Sequence, residues 1–543
     1  MAPLFSIVTP VFNPPAQALR DTIRSVRKQT FTDWEWCIVD DQSTQPQTWS
    51  ILERAARQDS RIRIARRSEN GGISRASNDA IAMATGEFLV FLDHDDLLVP
   101  QALEAVALRV RAQELDFVYS DEAVLHDDGL TLSPFYKPDW SPARMLCQMY
   151  TCHLGVMRRT LVDELGGFRP AFDGSQDYDL VLRVTEQTDR IQHIPEVLYL
   201  WRSVPGSAAA APSEKKWAYE AGRRAVQAHF DRCGIRAQVQ ATKTPGVYRS
   251  VRELQGERLV SIIIPSRGSR GRVFGDDRVH LLHSLRSIME RTTYPNFEIV
   301  LVVDRSTPDF VMEESRWIAG DRLRVVWFDA PFNFSAKINA GVAQSAGDVL
   351  VLLNDDTEVI SPDWLQEFVG LTAITDVGLV GAKLYFADGS IQHAGISCRG
   401  HAPHPIYRGY EGTGGGHVAF LDVEREVVGN TAACCAFRRE LWDEVGGMCE
   451  ALPNSFNDVD FSLKFRAAGY RNVWSPHIEL YHFESMTRDS EVRAWEIAWM
   501  SDRWGDAMCV DPYFNPNLDL GCAGFVVNSA QPYLRDLRWK ALV

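Results

Sequence analysis

Acidic side chains are clustered directly after two apolar segments of the chain. FLVFL is followed by Asp93, Asp95 and Asp96, and VLVLL is followed by Asn354, Asp355 and Asp356. Like charges a few ångströms apart repel each other and resist burial, so these acids need a compensating positive charge. A divalent cation that carries substrate phosphates would supply it, because Mg²⁺ and Mn²⁺ favour carboxylate oxygens. Residues i and i+2 of an extended segment face the same way, so we expect Asp93 and Asp95 to bind one ion.

The composition is that of a globular protein of two to four domains, at roughly 100–200 residues each. The chain has 543 residues, is 45% hydrophobic and carries a net charge of −15. This charge argues against nucleic-acid binding and against electrostatic adhesion to an anionic membrane. We expect neither a membrane-spanning helix nor a secretory signal, because long apolar runs and a basic N-terminal region are absent. The 10 cysteines form no CxxC pair, which predicts reduced thiols in a cytoplasm and no zinc site.

Motifs recur along the chain in the same order. FSIVTPVFN returns as VSIIIPSRG, ATGEFLVFLDHDD as SAGDVLVLLNDDTEV, and ELGGFRPAFDGSQDYDL as EVGGMCEALPNSFNDVDF. The repeating unit of about 260 residues is too long for a solenoid repeat. The sequence therefore predicts a duplicated domain.

Each copy alternates β-branched segments with helical patterns. In the first copy we predict strands at SIVTPVF, WEWCIVDD, RIRIARR and EFLVFLD, and helices at Leu19–Gln29 and SRASNDAIAMAT. This alternation predicts βαβ units and a Rossmann-like α/β fold with a mainly parallel sheet. Ligands of such sheets bind beyond the carboxyl ends of the strands. VDDQST, NGGISR and DHDD fall there in the first copy, as do VDRST, FNFSAK and NDDTE in the second, so we expect one site per copy.

The predicted organisation is a first domain over 1–205, a linker over 206–257, a second domain over 258–488 and a tail over 489–543. KKWAYEAGRRAVQAHFDRCGI predicts a helix in the linker. The tail contains a Trp-rich helical pattern and is expected to pack on the second copy. GHAPHPIYRGYEGTGGGHVAFLD, which the first copy lacks, is predicted to be a flexible lid.

Both copies resemble family-two glycosyltransferases of the GT-A fold, over nearly the whole chain. The resemblance rests on SIVTPVFN, the acidic pair after the second strand, NGGISRASN, the DxD motif and GSQDYDL, in this order. The tandem arrangement, together with LYLWRSVPGS, LYHFESMTR and DPYFNPNL, resembles bifunctional bacterial enzymes that assemble O-antigen, capsule or rhamnan-type glycans. This implies UDP- or dTDP-linked sugar donors and an oligosaccharide or lipid-linked glycan acceptor. It also implies peripheral membrane association or membership of a polysaccharide-assembly complex.

The resemblance implies a nucleotide site in each copy. Its residues are Pro10, Asp40, Asp41, Arg75 and Asp93 in the first copy, and Pro265, Asp304, Lys337 and Asn354 in the second. One acid of the first copy, either Asp40 or Asp41, would accept a hydrogen bond from a pyrimidine base, as Asp304 would in the second. Arg75 and Lys337 would face ribose and diphosphate; the alternative is a solvated helix face.

The resemblance also implies a Mn²⁺ or Mg²⁺ ion in each copy. Its ligands would be Asp93 and Asp95 in the first copy, and Asp356 and His482 in the second. A lone histidine is also common as an ordinary core or surface residue. The position of His482 corresponds to Leu200 in the first copy, which leaves that site with one candidate ligand fewer.

Asp177 and Asp458 each follow a polar turn and precede an amphipathic run. The pattern predicts the first turn of a helix, where an acid can serve only as a cap, stabilising the helix by about 1 kcal/mol. Under the resemblance these two acids are instead the general bases of an inverting transfer, in which the acceptor hydroxyl attacks through an oxocarbenium-like transition state. Asp179 and Asp460, two residues later, suit the structural role better.

Two alternatives stay open. A sugar nucleotidyltransferase also combines a similar sheet with carboxylate-bound metal, but it needs a Gly-rich basic loop after the first strand, which IPSRGSRG resembles and VTPVFNPP does not. One copy could instead be a glycan-binding or scaffolding module, because Asn354 and Leu200 depart from the expected ligands. Both copies retain the late acid, which favours two catalytic domains.

Overall fold

The computed structural model describes residues 2–126, 128, 131–203, 216–484, 492–519 and 526–527. The predicted boundaries at 205/206 and 488/489 lie outside the described residues, so the four-part division stays a prediction. Every helix among the described residues is too short or too polar to span a bilayer.

The first domain is a nine-stranded sheet flanked by helices. Its strands are β1 (Phe5–Val11), β2 (Trp34–Asp40), β3 (Ile62–Arg66), β4 (Phe88–Phe91), β5 (Leu97–Leu98), β6 (Phe117–Leu125), β7 (Leu132–Phe135), β8 (Gly155–Arg158) and β9 (Ile191–Arg202). Its helices are α1 (Ala16–Arg27), α2 (Pro46–Gln58), α3 (Ile73–Met83), α4 (Ala102–Ala112), α5 (Pro142–Met145), α6 (Arg159–Glu164) and α7 (Gln176–Thr185). The strand order is β3-β2-β1-β4-β8-β6-β9-β5, with β7 paired to β6.

The second domain is a ten-stranded sheet with two additional hairpins. Its strands are β12 (Val260–Ser266), β13 (Arg270–Val273), β14 (Asp276–Val279), β15 (Phe297–Asp304), β16 (Leu323–Phe328), β17 (Val349–Leu353), β18 (Thr357–Val359), β19 (Val377–Tyr385), β20 (Ile391–His393), β21 (Ile396–Arg399), β22 (Ala402–Pro405), β23 (Arg425–Val427), β24 (Cys434–Arg438) and β25 (Arg471–His482). Its helices are α9 (His280–Arg291), α10 (Asp309–Ala319), α11 (Phe334–Gln344), α12 (Trp364–Thr372), α13 (Arg439–Val445) and α14 (Asn457–Ala467). The order is β16-β15-β12-β17-β24-β19-β25-β18, with β20 paired to β19 and β23 paired to β25.

The eight strands in the order given for each sheet correspond one to one, which confirms the duplication and the α/β class. Strands β3, β2, β1 and β4 pair in parallel, as do β16, β15, β12 and β17. All residues of β2 and of β17 are buried, because helices cover both faces of the sheet. Beyond β4 the pairing is mixed: β8 is antiparallel to both β4 and β6. The sequence did not anticipate this antiparallel half.

The predicted linker helix is confirmed as α8 (Lys216–Arg232), and a hairpin follows it, β10 (Ala237–Ala241) with β11 (Tyr248–Arg252). Phe230 of α8 is buried in a core cluster of the first domain. Arg252, in β11, forms an ion pair of 2.9 Å with Glu424 of the second domain, and both side chains are buried. The linker therefore packs against both domains.

The segment 400–422 is packed, so the prediction of a flexible lid is wrong. Its apolar side chains Ile406, Tyr407, Phe420 and Leu421 are buried in a small core that also contains residues of β20, β23 and β25. The backbone carbonyl of Val418 accepts a hydrogen bond of 3.2 Å from the guanidinium of Arg144 in the first domain. The aromatic residues Tyr407 and Phe420 are part of this core.

The tail contacts both domains, whereas the sequence predicted contact with the second copy alone. It contains α15 (Ala494–Trp504) and the short strands β26 (Leu518–Asp519) and β27 (Val526–Val527). Met500 of α15 packs in a cluster of the second domain, but Phe514 and Leu518 belong to the core of the first. The side-chain amide of Asn515 donates to the carboxylate of Asp121, at 2.9 and 3.0 Å from its two oxygens.

Removing this amide should destabilise the first domain. Asp121 is fully buried and keeps the amide of Lys137, but the loss of one hydrogen bond to a charged acceptor costs about 1.5–3 kcal/mol. We expect Asn515→Ala to lower the free energy of unfolding by this amount, measured on the full chain by urea unfolding followed through tryptophan fluorescence. The control Asn296→Ala also removes an amide donor, which bonds the carbonyl of Glu257 at 3.0 Å, but this bond is exposed to water and its loss should cost less than about 0.5 kcal/mol. Equal effects of the two substitutions would contradict the role of Asn515.

Candidate active sites

The residues after β4 form a turn, not the extended segment that the sequence predicted. The amide of Asp96 donates to the carbonyl of Asp93 over 3.4 Å, and the two side chains approach each other. The alternation expected for Asp93 and Asp95 was therefore wrong, because residues i and i+2 share a face only in a strand. An oxygen of Asp95 lies 4.0 Å from Nε2 of His94.

Asp96 is the most buried acid of this turn, and the sequence did not single it out. One carboxylate oxygen accepts from the Tyr199 hydroxyl at 2.6 Å, and the other accepts from the Arg202 amide at 2.7 Å. The Tyr199 oxygen in turn accepts from the amide of Asp93 at 3.2 Å. Burial, together with the charges of Asp93 and Asp95, raises the pKa of Asp96 well above its usual range. Burial also raises the pKa of Asp95.

His153 lies beside the turn and was not a candidate from sequence. Its Nδ1 lies 3.1 Å from Oε2 of Glu122, and its Nε2 lies 3.9 Å from Oδ2 of Asp93. The ring stacks on Tyr199 with centroids 4.5 Å apart. Burial alone would lower the pKa of His153, but the hydrogen bond and charge of Glu122 raise it to about 9. No local pattern marks this residue, because its partners are on β4, β6 and β9.

Asp93, His153 and Asp177 line one cavity of the first domain, together with Pro10 and Cys152. Asp177 is in the first turn of α7, as predicted, and its Oδ1 accepts from the following backbone amide at 2.8 Å. Burial raises the pKa of Asp177. The cavity thus joins the acidic turn to a carboxylate on a separate helix.

Asp179 has a structural environment, unlike Asp177. Its carboxylate is fully buried and forms ion pairs with Arg169 and Arg183. In the second domain Asp460 is likewise buried, against Lys464 and Arg503.

The strand register identifies the residue of the first copy that corresponds to Asp304. Pro10 lies opposite Val39, and Pro265 lies opposite Val302. Counting on from these valines aligns Asp41, not Asp40, with Asp304.

The two acids of the pair have different contacts. Asp40 accepts from the amide of Ser43 at 3.0 Å and pairs with Arg66 at 3.0 Å. Asp41 accepts from the amides of Gly71 and Gly72, at 2.9 and 2.8 Å, at the start of α3. Asp40 therefore closes the turn after β2, whereas Asp41 faces the predicted nucleotide loop.

Arg75 and Lys337 do not occupy equivalent positions. Asn78 makes reciprocal hydrogen bonds with the backbone of Phe168, and Asn339 makes the same pair with Met448, which aligns the two helices. In this alignment Lys337 corresponds to Ala76 of the first copy and not to Arg75.

The two basic side chains also differ in their surroundings. The guanidinium of Arg75 is exposed and donates to the carbonyl of Gly71 at 3.1 Å. The ammonium group of Lys337 is buried, 2.6 Å from the carboxylate of Asp304 and 3.2 Å from the carbonyl of Ser266.

In the second domain Asn354, Asp356 and His482 converge. Nε2 of His482 lies 3.2 Å from the Asn354 amide nitrogen and 3.2 Å from a carboxylate oxygen of Asp356. Burial would lower the pKa of His482, but Asp356 raises it. Asp355 accepts from the hydroxyl of Ser266 at 2.5 Å, and burial, together with Asp356, raises its pKa to about 7. Asp458 lies in the first turn of α14, as predicted.

The position of His482 corresponds to Trp201 in the first domain, so the assignment to Leu200 was wrong. His482 pairs with Thr357 in the ladder of β18, and Leu200 pairs with Leu97 in the ladder of β5. Leu97 corresponds to Glu358, whose partner in β25 is Tyr481. Leu200 therefore corresponds to Tyr481, and the next residue, Trp201, corresponds to His482.

The donor atoms present fit a divalent cation in each domain. Carboxylate oxygens of Asp93 and Asp96 lie within 4.8 Å of each other in the first domain. In the second, a carboxylate, an amide and an imidazole converge at Asp356, Asn354 and His482. Oxygen ligands suit both Mg²⁺ and Mn²⁺, and an imidazole nitrogen favours Mn²⁺.

Comparison with known proteins gives matches to both domains. The family described as Glycosyl transferase family 2 matches residues 6–165 and 261–446. An uncharacterized protein of Sinorhizobium fredii, y4gI, is 43% identical over 97% of this chain and 59% of its own length. The O-antigen biosynthesis protein RfbC of Myxococcus xanthus is 38% identical over 95% of this chain and 40% of its own length.

A shorter relative matches about one third of the chain. It is the Escherichia coli protein named UDP-Glc:alpha-D-GlcNAc-diphosphoundecaprenol beta-1,3-glucosyltransferase WfgD, 28% identical over 34% of this chain and 71% of its own length. The chain thus spans about half the length of the two relatives that it matches throughout. Because the family matches one stretch in each domain, together more than half of the residues, the chain belongs to glycosyl transferase family 2.

Proposed function

We propose that the chain is a bifunctional, metal-dependent, inverting glycosyltransferase with one active site in each domain. It would transfer sugars from UDP- or dTDP-linked donors to a growing bacterial surface polysaccharide, carried on a lipid at the cytoplasmic face of the membrane. The observation that carries the proposal is the shared cavity of Asp93 and Asp177 in the first domain. One acid can face the diphosphate of a donor while the other faces an acceptor hydroxyl.

In the first site Asp177 acts as the general base. It removes the proton of the acceptor hydroxyl as the oxygen attacks C1 of the donor sugar, opposite the diphosphate. A raised pKa suits this task, because a base works best when its pKa approaches the working pH. No covalent intermediate is needed, and the anomeric configuration inverts.

Asp93, which lies beside Asp96 in the turn after β4, would hold the cation of this site, and Asp356 and His482 would hold that of the second. When bound, Mn²⁺ or Mg²⁺ stabilises the negative charge that develops on the leaving nucleoside diphosphate. Asp41 and Asp304 would accept from the pyrimidine base, and Pro10 and Pro265, each the last residue but one of its strand, would precede the nucleoside loops. In the second site Asp458 would be the base, and Asn354 would contribute an amide to the nucleotide site.

The nature of donor and acceptor is supported by the relatives. The name of RfbC places that protein in O-antigen biosynthesis, and the name of WfgD specifies a UDP-sugar donor and a diphosphoundecaprenol-linked acceptor. We extend both features to this chain as part of the proposal. The second candidate function is a glycan-binding role of the second domain, which the neutral Asn354 favours.

Asp177→Asn and Asp458→Asn should each abolish a different transfer step. Loss of a positioned general base slows transfer by about 10²–10⁴-fold. We would assay both variants with a panel of UDP-, dTDP- and GDP-sugars and polyprenyl-linked acceptors. Asp163→Asn and Asp443→Asn are matched controls, because these exposed residues occupy equivalent places in the two copies and should leave the rates unchanged. Unchanged activity of Asp458→Asn would favour the glycan-binding role.

As the pH is lowered, the first transfer step should lose its activity at a higher pH than it would if the base had the usual pKa of an aspartate. Protonated Asp177 cannot take a proton, so activity is present above its pKa and is lost as the pH falls through it. Because burial raises this pKa, the acidic limb of kcat/KM should lie above pH ~4, the usual aspartate value. The profile would be measured in the Asp458→Asn chain. An acidic limb at the ordinary value would argue against Asp177 as the base.

Asp41→Asn and Asp304→Asn should weaken UDP binding, whereas Asp40→Asn should mainly affect stability. A lost hydrogen bond to a charged acceptor corresponds to about 10–100-fold in affinity. Isothermal calorimetry with UDP and Mn²⁺ would resolve one weakened site in each of the first two variants. If Asp40→Asn weakened UDP binding as strongly, the assignment of Asp41 to the base would be wrong.

A further inference from the structure

Each domain has a histidine beside its acidic turn, but the two histidines come from different places in the sheet. In the second domain it is His482, at the end of β25, and Trp201 occupies the corresponding place in the first. His153 precedes β8, and the pairing of Arg158 with β4 matches that of Arg438 with β17. His153 lies five residues before Arg158, and Ala433 lies five residues before Arg438. Ala433 is therefore the residue of the second copy that corresponds to His153. Each copy therefore lacks the histidine that the other has.

The ring of His153 is held in one orientation by its surroundings. Glu122 accepts from the backbone amide of His153 at 2.8 Å and lies 3.1 Å from Nδ1. Lys137, fully buried, lies 3.4 Å from the same carboxylate oxygen and donates to the carbonyl of His153. With the ring stacked on Tyr199, Nδ1 is committed to Glu122, and Nε2 is the nitrogen directed at Asp93.

This arrangement is that of a metal-binding histidine. Such a histidine gives its second ring nitrogen to a carboxylate, which sets the tautomer and leaves the other nitrogen for the ion. A ring nitrogen of His153 and carboxylate oxygens of Asp93 and Asp96 lie within 4.8 Å of one another, and it is Nε2 that lies 3.9 Å from Oδ2 of Asp93. Both oxygens of Asp96 already accept from protein donors, whereas the Asp93 side chain is 47% exposed and faces the cavity.

We propose that His153 is the imidazole ligand of the divalent cation in the first active site, oriented by Glu122, and that Asp93 is its neighbouring ligand. The proposal rests on the metal-dependent function proposed above and adds to it a ligand from a different strand. A nitrogen ligand makes the site prefer Mn²⁺ over Mg²⁺, because Mg²⁺ is the harder ion and favours oxygen. A competing imidazole in the same turn is that of His94, whose Nδ1 lies 3.2 Å from the carbonyl of Pro10.

Pulsed electron paramagnetic resonance of bound Mn²⁺ tests this ligand directly, because a coordinated imidazole adds a nitrogen modulation to the signal. The full chain would carry His482→Ala, which removes the imidazole of the second site, and would be loaded with Mn²⁺ and UDP. We expect nitrogen modulation in this chain and in His94→Ala/His482→Ala, and its loss in His153→Ala/His482→Ala. Modulation that persists without His153, or that disappears with His94, would overturn the proposal.

Glu122→Gln/His482→Ala provides a second readout that retains the imidazole. Loss of the orienting carboxylate should weaken Mn²⁺ binding to the first site by about 10–100-fold, the usual effect of such partners. An unchanged Mn²⁺ affinity would also overturn the proposal, and this variant decides the matter if His153→Ala does not fold. Failure of the wild-type chain to bind Mn²⁺ with UDP at either site would remove the metal from the proposed function as well. Mn²⁺ binding without nitrogen modulation would refute the role of His153 alone.

Discussion

Mutual repulsion among the carboxylates after β4 is the constraint on which the first site depends. These acids stay together because fixed donors surround them. Tyr199 and Arg202, at the end of β9, satisfy both oxygens of Asp96. Such donors are rigid parts of the sheet, so they cost little reorganisation when a ligand arrives. The end of β9 must therefore return to the turn, and the antiparallel pairing of β5 with β9 places it there.

The two copies preserve a backbone and differ in the charges placed on it. Asp41 pairs with the guanidinium of Arg67 at 3.0 Å and accepts from two glycine amides, whereas the equivalent Asp304 pairs with the buried ammonium of Lys337 at 2.6 Å. The two equivalent acids therefore face different cations, which come from the residue after β3 in the first copy and from α11 in the second. This difference is consistent with two domains that act on different ligands.

Polar contacts join the tail to the first domain and extend to the neighbourhood of the first site. Asn515 of the tail donates to Asp121, which also accepts from the backbone amide of Lys137. The ammonium group of Lys137 in turn lies beside Glu122, the partner of His153. The tail thus completes a buried network that supports the first domain, although it follows the second domain in sequence. Buried polar groups of this kind are costly to leave unpaired, which ties the position of the tail to the integrity of the site.

Much of the fold was predictable because its signals are local. Hydrophobic periodicity and the internal repeat indicated two α/β domains, and the predicted strands and helices of the first copy are present. The polar loops at the ends of parallel strands indicated where each site lies, and the placement of Asp177 and Asp458 in the first turns of helices followed from short patterns.

The remaining features depended on contacts between residues far apart in the chain. A turn replaced the expected strand after Phe91, which placed the side chain of Asp93 beside that of Asp96. The register of distant strands showed that Asp41 corresponds to Asp304 and that Trp201 corresponds to His482. The sequence by itself determined the fold class, the duplication and the acids, because these are written in periodicity and residue type. Only the tertiary structure decided which histidine, tyrosine and buried carboxylate stand beside those acids, because that depends on strand pairing and on charges that compensate one another across the sheet.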